Sequence, residues 1–271
     1  NMADFPLLAS GGFVLSDSIS AAPASHASTH TKGSYSQLVA STSLDATAFY
    51  FGVNNAAASG RSFLLDIAVG AAASEQIILA NMLIDQPLRL PVCPQLPCQI
   101  PAGSRLSARV QCDIGSSQVT MDGFLLSTGL WGEFNGAPVL TMGATTATTK
   151  GITVDAGATS GTYGSWTTIE ASTTEDICAI NVRKGCNRNT APVEANLYSN
   201  YLQIGVGAAA SEQVIARIAV AATSSGYMGV GFEGWIPVSI PAGSRIAARY
   251  NSNTNDATDR IIDVQILGLR A

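Results

Sequence analysis

A chain of 271 residues with 46% hydrophobic residues is long enough for two domains of ordinary size, each burying its own core. Only 12% of the residues are charged, about half the roughly 25% of an average soluble domain. A net charge of -5 without a basic run leaves no footprint for nucleic acid, whose binding rests on neutralising phosphates. No stretch nears the roughly 20 consecutive apolar residues of a membrane helix. The first basic residue is Lys32, so the start lacks the charged region of a signal peptide, and a soluble protein is expected.

In chain order, the region from Ser16 to Ser34 is rich in Ser, Ala and Thr and is expected to be an extended arm ahead of the first domain. It holds both histidines, His26 and His30, four residues apart. A zinc pair at that spacing needs a helix and a third ligand, neither of which is evident, so both are expected to be exposed loop histidines and no metal site follows. Next, Leu65, Ile67 and Val69 alternate with Asp66 and Ala68, the period of a half-buried strand. Gly70-Ala71-Ala72-Ala73-Ser74 then turns the chain into a second apolar run, Gln76 to Leu79, for which a hairpin or tight corner is the simplest connection. A short helix opened by Ser74-Glu75-Gln76 is the competing reading, opposed by the β-branched residues that follow. In Ile100-Pro101-Ala102-Gly103-Ser104-Arg105, Pro supplies the fixed φ of the second turn position and Gly the exit geometry. The strand it launches sets Leu106, Ala108 and Val110 opposite Arg105, Ser107 and Arg109, and Val119 to Leu126 closes the unit.

After a Gly/Thr-rich stretch from Trp131 to Asp155, the same elements return. Residues 65–76 recur as Leu202 to Gln213 at an offset of 137, and Ile240-Pro241-Ala242-Gly243-Ser244-Arg245 repeats the turn at an offset of 140. A weaker match, at an offset of 131, sets Gly33 to Leu38 and Ala40-Ser41-Thr42 against Gly164 to Ile169 and Ala171-Ser172-Thr173. The second turn launches Ile246, Ala248 and Tyr250 opposite Arg245, Ala247 and Arg249, and Ile261 to Leu269 closes the copy. The chain is therefore two homologous domains, and its function is one that a doubled module serves. With short runs and no long helical period, the expected fold is all-β: two tandem homologous antiparallel β-sandwiches of jelly-roll type. The expected boundaries are 1–130 for the first repeat with its arm, 131–155 for the linker, with room for the first strand of the second domain, and 156–271 for the second repeat.

Little in this pattern carries chemistry. The five cysteines, Cys93, Cys98, Cys112, Cys178 and Cys186, fall at no matching positions of the two copies, which argues against a disulfide framework. Cys93 and Cys98 could close a small loop, but reduced thiols are expected. Glu75 and Glu212 lack a second acid with a separated pKa and are read as structural. Each either accepts backbone N–H groups at its corner or pairs with an arginine, Arg105 or Arg109 in the first copy and Arg245 or Arg249 in the second. No nucleophile elbow, phosphate loop or Cys-x-x-Cys is present, so neither catalysis nor a cofactor is expected. Tyr163, Trp166, Tyr198, Tyr201, Tyr227, Phe232 and Trp235 gather in the second half. Tyr227, Phe232 and Trp235 are candidates for stacking on a sugar face, against the alternative of core packing and subunit contacts.

The Gly-Ala-Ala-Ala-Ser-Glu-Gln and Ile-Pro-Ala-Gly-Ser-Arg pair, in a charge-poor, Ser/Thr/Gly-rich β module, resembles modules in structural proteins of tailed bacteriophage particles, among them capsid decoration, tail and fibre components. The resemblance implies a non-enzymatic virion protein and carries no catalytic residue. Its expected partners are itself, as a homo-oligomer and most simply a trimer with residues 1–34 between subunits, and other virion proteins. A glycan-binding adhesion module that recognises a host surface is the alternative.

Overall fold

A computed structural model describes residues 15–55, 61–86, 95–127, 139–143, 151–186, 198–223, 227–229, 234–253 and 261–271, and among them it contains strands and turns but no helix. The strands of the first half are β1 (Leu15–Ala21), β2 (Ser36–Val39), β3 (Ala46–Asn55), β4 (Arg61–Val69), β5 (Gln76–Gln86), β6 (Gln95–Ile100), β7 (Leu106–Cys112) and β8 (Val119–Leu126). They form two antiparallel four-stranded sheets, ordered β1-β8-β3-β6 (sheet I) and β2-β7-β4-β5 (sheet II). The second half supplies β9 (Leu140–Met142), β10 (Ile152–Asp155), β11 (Thr167–Glu170), β12 (Ile177–Cys186), β13 (Tyr198–Val206), β14 (Gln213–Thr223), β15 (Tyr227–Gly229), β16 (Ile236–Ile240), β17 (Ile246–Asn251) and β18 (Ile261–Arg270). Their sheets run β10-β18-β12-β16, with β9 also on β18 (sheet III), and β11-β17-β13-β14-β15 (sheet IV). Leaving out β9 and β15, both halves thread eight strands in the same order. That order, the first and last strands adjacent and each sheet mixing early and late strands, is a jelly roll.

Period-two alternation builds each core. In the first sandwich Phe49, Phe51 and Val53 of sheet I meet Phe63, Leu65, Ile67, Met82 and Ile84 of sheet II. In the second, Ile180, Val182, Val264 and Ile266 meet Leu202, Ile204, Ile218, Ile246 and Tyr250.

The repeated motifs are the corners of these sheets. Ser74 donates its N–H to Ala71 (3.0 Å) and Ser211 to Ala208 (3.0 Å), so each Ala-Ala-Ala-Ser run is a tight turn between paired strands, with Ala73 and Ala210 in the left-handed region at φ 67° and 66°. The other motif differs from the sequence expectation in one respect. The N–H of Ser104 bonds to Pro101 and that of Ser244 to Pro241, both at 3.2 Å, so proline opens the turn and glycine occupies its third position, where φ is 79° and 81°. A type II turn requires positive φ there.

Three further expectations change. Strand β4 is buried on both faces: Leu64, Asp66 and Ala68 are as enclosed as Leu65 and Ile67, and on the outer side the long side chains of Lys32 and Arg109 meet at Asp66. The Ser16 to Ser34 region, read as an arm, is built into its own sandwich wherever it is described. Strand β1 pairs with β8, and the segment after it is bonded in place by Ser25 N–H to Ser117 (2.7 Å), His30 N–H to Cys112 (2.8 Å) and Gly33 N–H to Val110 (2.9 Å). His26 is exposed, as expected of a loop, whereas His30 is half-buried at φ 55°. Within 131–155, β9 and β10 lie end to end along β18 and so belong to sheet III.

The two sandwiches dock edge onto face. The free edge of β5 meets the outer face of sheet III, where Ala179, Leu267 and Leu269 join the first hydrophobic core. Gln265, fully buried, accepts the Leu83 N–H through Oε1 (2.7 Å) and donates Nε2 to the Asn81 carbonyl (2.6 Å). Its amide thus does what another strand would do. Arg183 donates Nε to the Leu83 carbonyl (3.2 Å), and Thr141 donates its hydroxyl to Ala80 (2.6 Å). An uncovered edge strand invites association with other chains. The first sandwich covers this one with the second, and the equivalent strand β14 is covered by β15.

Candidate ligand-binding face

The outer faces of sheets II and IV carry matching sets of polar groups, and the two copies can be compared residue by residue. At the hairpin corner Arg105 Nη1 donates to Glu75 Oε1 (3.0 Å) and Arg245 Nη1 to Glu212 Oε1 (2.7 Å). The same nitrogens reach the Gly70 and Gly207 carbonyls at 3.4 and 3.3 Å, and the Nε groups reach Gln37 Oε1 (3.4 Å) and Thr168 Oγ1 (2.9 Å). The Glu75 carboxyl is held below its ordinary value of 4.5 by its own backbone N–H and by Arg105, against some desolvation. For Glu212 desolvation pulls upward, and the hydrogen bond from Arg245 with its own N–H outweighs it. Both acids brace a turn.

A second pair of supports was missed in the sequence. Thr42 donates its hydroxyl to the Pro101 carbonyl (2.8 Å), exchanges backbone bonds with Gly103 and Ser104, and is joined by Asp45, whose Oδ1 accepts the Ala102 N–H (2.7 Å). Thr173 and Asp176 repeat this around Pro241 and Ala242, at 2.9 and 2.7 Å. The signal was present: both residues recur at the offset of the weakest repeat match.

One strand position further in, the copies diverge. In the first, Asp66 receives Lys32 Nζ at 2.7 Å and Arg109 Nε at 2.9 Å, while the Arg109 guanidinium lies over Tyr35, 4.5 Å from the ring centre. Burial pulls the Lys32 ammonium below its ordinary range, and the attraction of Asp66 opposes that. In the second copy Gln203 stands for Asp66 and Tyr163 for Lys32. Arg249 donates Nε to Gln203 Oε1 (2.7 Å) and lies between Tyr163 (4.8 Å) and Trp166 (4.5 Å). Losing an acid and a base together leaves the charge of the group unchanged, which is why both versions fit the same sheet. Trp166 lies across Gly205, where a Cβ would stand 2.7 Å from the indole. On the other side of Gln203, Arg217 stacks over the exposed Tyr201 at 4.0 Å.

The candidate aromatic residues of the second half fall elsewhere. Trp235 is partly buried against the first core and donates Nε1 to the Gln95 carbonyl (2.7 Å), which makes it a contact between the two sandwiches. Tyr227 lies in β15, and its side chain, like the whole of Phe232, falls outside the described residues. Cys98 and Cys112 are buried free thiols, pushed by burial to about 12 and about 11, and Cys178 is a half-buried free thiol. Cys93 and the Cys186 side chain lie outside the described residues. Among the described residues no group of three or more His, Cys, Asp or Glu is placed to hold a metal ion.

No family model matches the sequence, and no curated protein matches it. Among solved structures the chain is similar to PNGF-II in a C2 crystal form, at 8% identity and a TM-score of 0.41 over 96% of this chain and 65% of that one. PNGF-II in a P21 form matches at 9% identity and a TM-score of 0.38, over 95% and 66%. The chain thus spans just under two thirds of either. The N-terminal CBM22-1-CBM22-2 tandem domain of Paenibacillus barcinonensis Xyn10C matches at 12% identity and a TM-score of 0.26, over 98% and 100%.

Proposed function

We propose that the chain is a structural component of a tailed-bacteriophage particle, held there by self-association and by contact with other virion proteins, and that it acts without catalysis. The observation that carries this reading is the role of the residues behind the phage resemblance. In both copies the Ala-Ala-Ala-Ser-Glu-Gln and Ile-Pro-Ala-Gly-Ser-Arg motifs brace corners, tied by Glu75 to Arg105 and by Glu212 to Arg245. What has been duplicated is a scaffold. The locked edge-to-face docking supports the same reading, because a rigid pair of sandwiches presents fixed faces to its neighbours in an assembly. Light scattering of the intact chain at tens of micromolar tests it, with a homo-oligomer, most simply a trimer, as the expected result. Since residues 15–34 are part of the first sandwich where described, the informative truncation removes residues 1–14. It should weaken association and leave the unfolding transition in place. A monomer unchanged by the truncation overturns the assembly reading.

A second reading, recognition of a host-surface glycan, is favoured by one observation: the aromatic and arginine side chains gathered on the outer face of sheet IV. A glycan array that returns no sugar ligand for the intact chain removes it.

A further inference from the structure

We propose that the outer face of sheet IV is a binding site for a carboxylate-bearing sugar, with the acid held by Arg217 and Arg249 and the sugar ring stacked on Tyr201 or Trp166. This deepens the glycan reading and rests on it. Gln203 pairs across strands with Arg249 on one side and with Arg217 on the other, so the three form a single row over β17, β13 and β14. Neighbouring strands lie about 4.8 Å apart, which sets the two arginine Cα atoms roughly 10 Å from each other, within the joint reach of their side chains for one carboxylate between them. Each guanidinium already rests on an aromatic ring, Arg217 on Tyr201 and Arg249 between Tyr163 and Trp166. Stacking holds the plane and leaves its N–H edges for an acceptor. Arg249 uses Nε on Gln203, and among the described residues neither arginine is paired with a carboxylate.

The first copy shows what the arrangement accepts. There Asp66 occupies the corresponding row and takes both Arg109 and Lys32. The second copy replaces this acid by Gln203 and Lys32 by Tyr163, and it adds Arg217 where the first copy has Ala80, so the face gains one cation without an internal anion, and the role of the acid falls to a ligand. The exposed Tyr201 ring and the half-buried Trp166 ring offer apolar surface of the kind that sugar faces stack on. The chemistry favours one acidic sugar over a polyphosphate, because nucleic-acid affinity is built from many phosphate contacts, and this face offers two arginines beside Arg245, which Glu212 already holds, on a chain of net charge -5.

The test uses the intact chain and a panel of sialylated and uronic-acid oligosaccharides, their methyl esters, neutral oligosaccharides and a single-stranded oligonucleotide, each titrated calorimetrically. The expected result is binding of the acidic sugars, weakened about tenfold or more by esterification, since a charge-assisted bond is roughly twice as strong as a neutral one. Arg217→Gln, at an exposed position, should weaken it by a similar factor with the unfolding midpoint unchanged. Gln203→Asp, which restores the acid that the first copy carries, should abolish it. Equal binding of esters or neutral sugars, sensitive to Arg217→Gln, overturns the acidic-sugar assignment and upholds the glycan reading. No sugar bound at millimolar concentration overturns both. Binding indifferent to both variants, or a preference for the oligonucleotide, overturns the site.

Discussion

Replacing Gln265 by leucine isolates the contact that locks the two sandwiches. The side chain is fully buried and serves two backbone groups of β5, the Leu83 N–H at 2.7 Å and the Asn81 carbonyl at 2.6 Å. Leucine has similar bulk and no polar atoms, so both groups lose a partner where water is excluded. A buried group left unsatisfied costs about 1–3 kcal/mol. Leu83 lies at the high end, being 1% exposed, and Asn81 at the low end, being half-buried. The loss is therefore about 2–5 kcal/mol, equivalent to roughly 4–20 °C in Tm at the 2–4 °C per kcal/mol usual for chains near this size. Gln265→Glu keeps the acceptor for Leu83, removes the donor to Asn81 and buries a carboxylate. Its penalty should be at least as large at neutral pH and should shrink in acid, where a protonated carboxyl can donate again. Urea unfolding followed by near-ultraviolet circular dichroism measures both variants, and the weakened interface should split one transition into two. A Gln265→Leu chain within about 0.5 kcal/mol of the parent, the range of an ordinary surface change, would refute the clasp.

Two other outcomes follow from the comparison of the copies. Gly205→Ala should drive Trp166 off the sheet, since the new Cβ would stand 2.7 Å from the indole, and overpacking of this kind costs about 1–3 kcal/mol. The first copy carries Ala68 and Tyr35 at these positions, so Trp166→Tyr added to Gly205→Ala should recover much of the loss, read by thermal unfolding. Because the Glu75 and Glu212 carboxyls sit below their ordinary 4.5 in the folded chain, the unfolded chain binds protons first, and their stabilisation is present above that value and fades as pH falls through the folded values. Glu75→Gln and Glu212→Gln should each lower Tm at pH 7 and flatten the acid limb, converging with the parent in strong acid; a constant offset at every pH would refute the assignment.

Much of this molecule was legible because it states its local rules twice. Alternation at Leu65, Ile67 and Val69 and again at Leu202, Ile204 and Val206, with proline and glycine turns at matching places, determined the strands, the corners and the doubling, since side-chain period and φ preference act within a few residues. Where the sequence reading went astray, the deciding partner was distant. Alternation marked β4 as half-buried, but its outer face is closed by Lys32 and Arg109 meeting at Asp66, and the Ser/Thr-rich start looked like an arm until β8 supplied its strand partner. Gln265 and Leu83 stand 182 residues apart, and no local pattern signals that an amide will finish another sandwich's edge. The aromatic cluster of the second half was visible as composition, yet only the tertiary structure turned Trp235 toward the first core and laid Trp166, Tyr163 and Tyr201 with two arginines on one open face. Composition counts side chains; the strand order decides which of them share a surface.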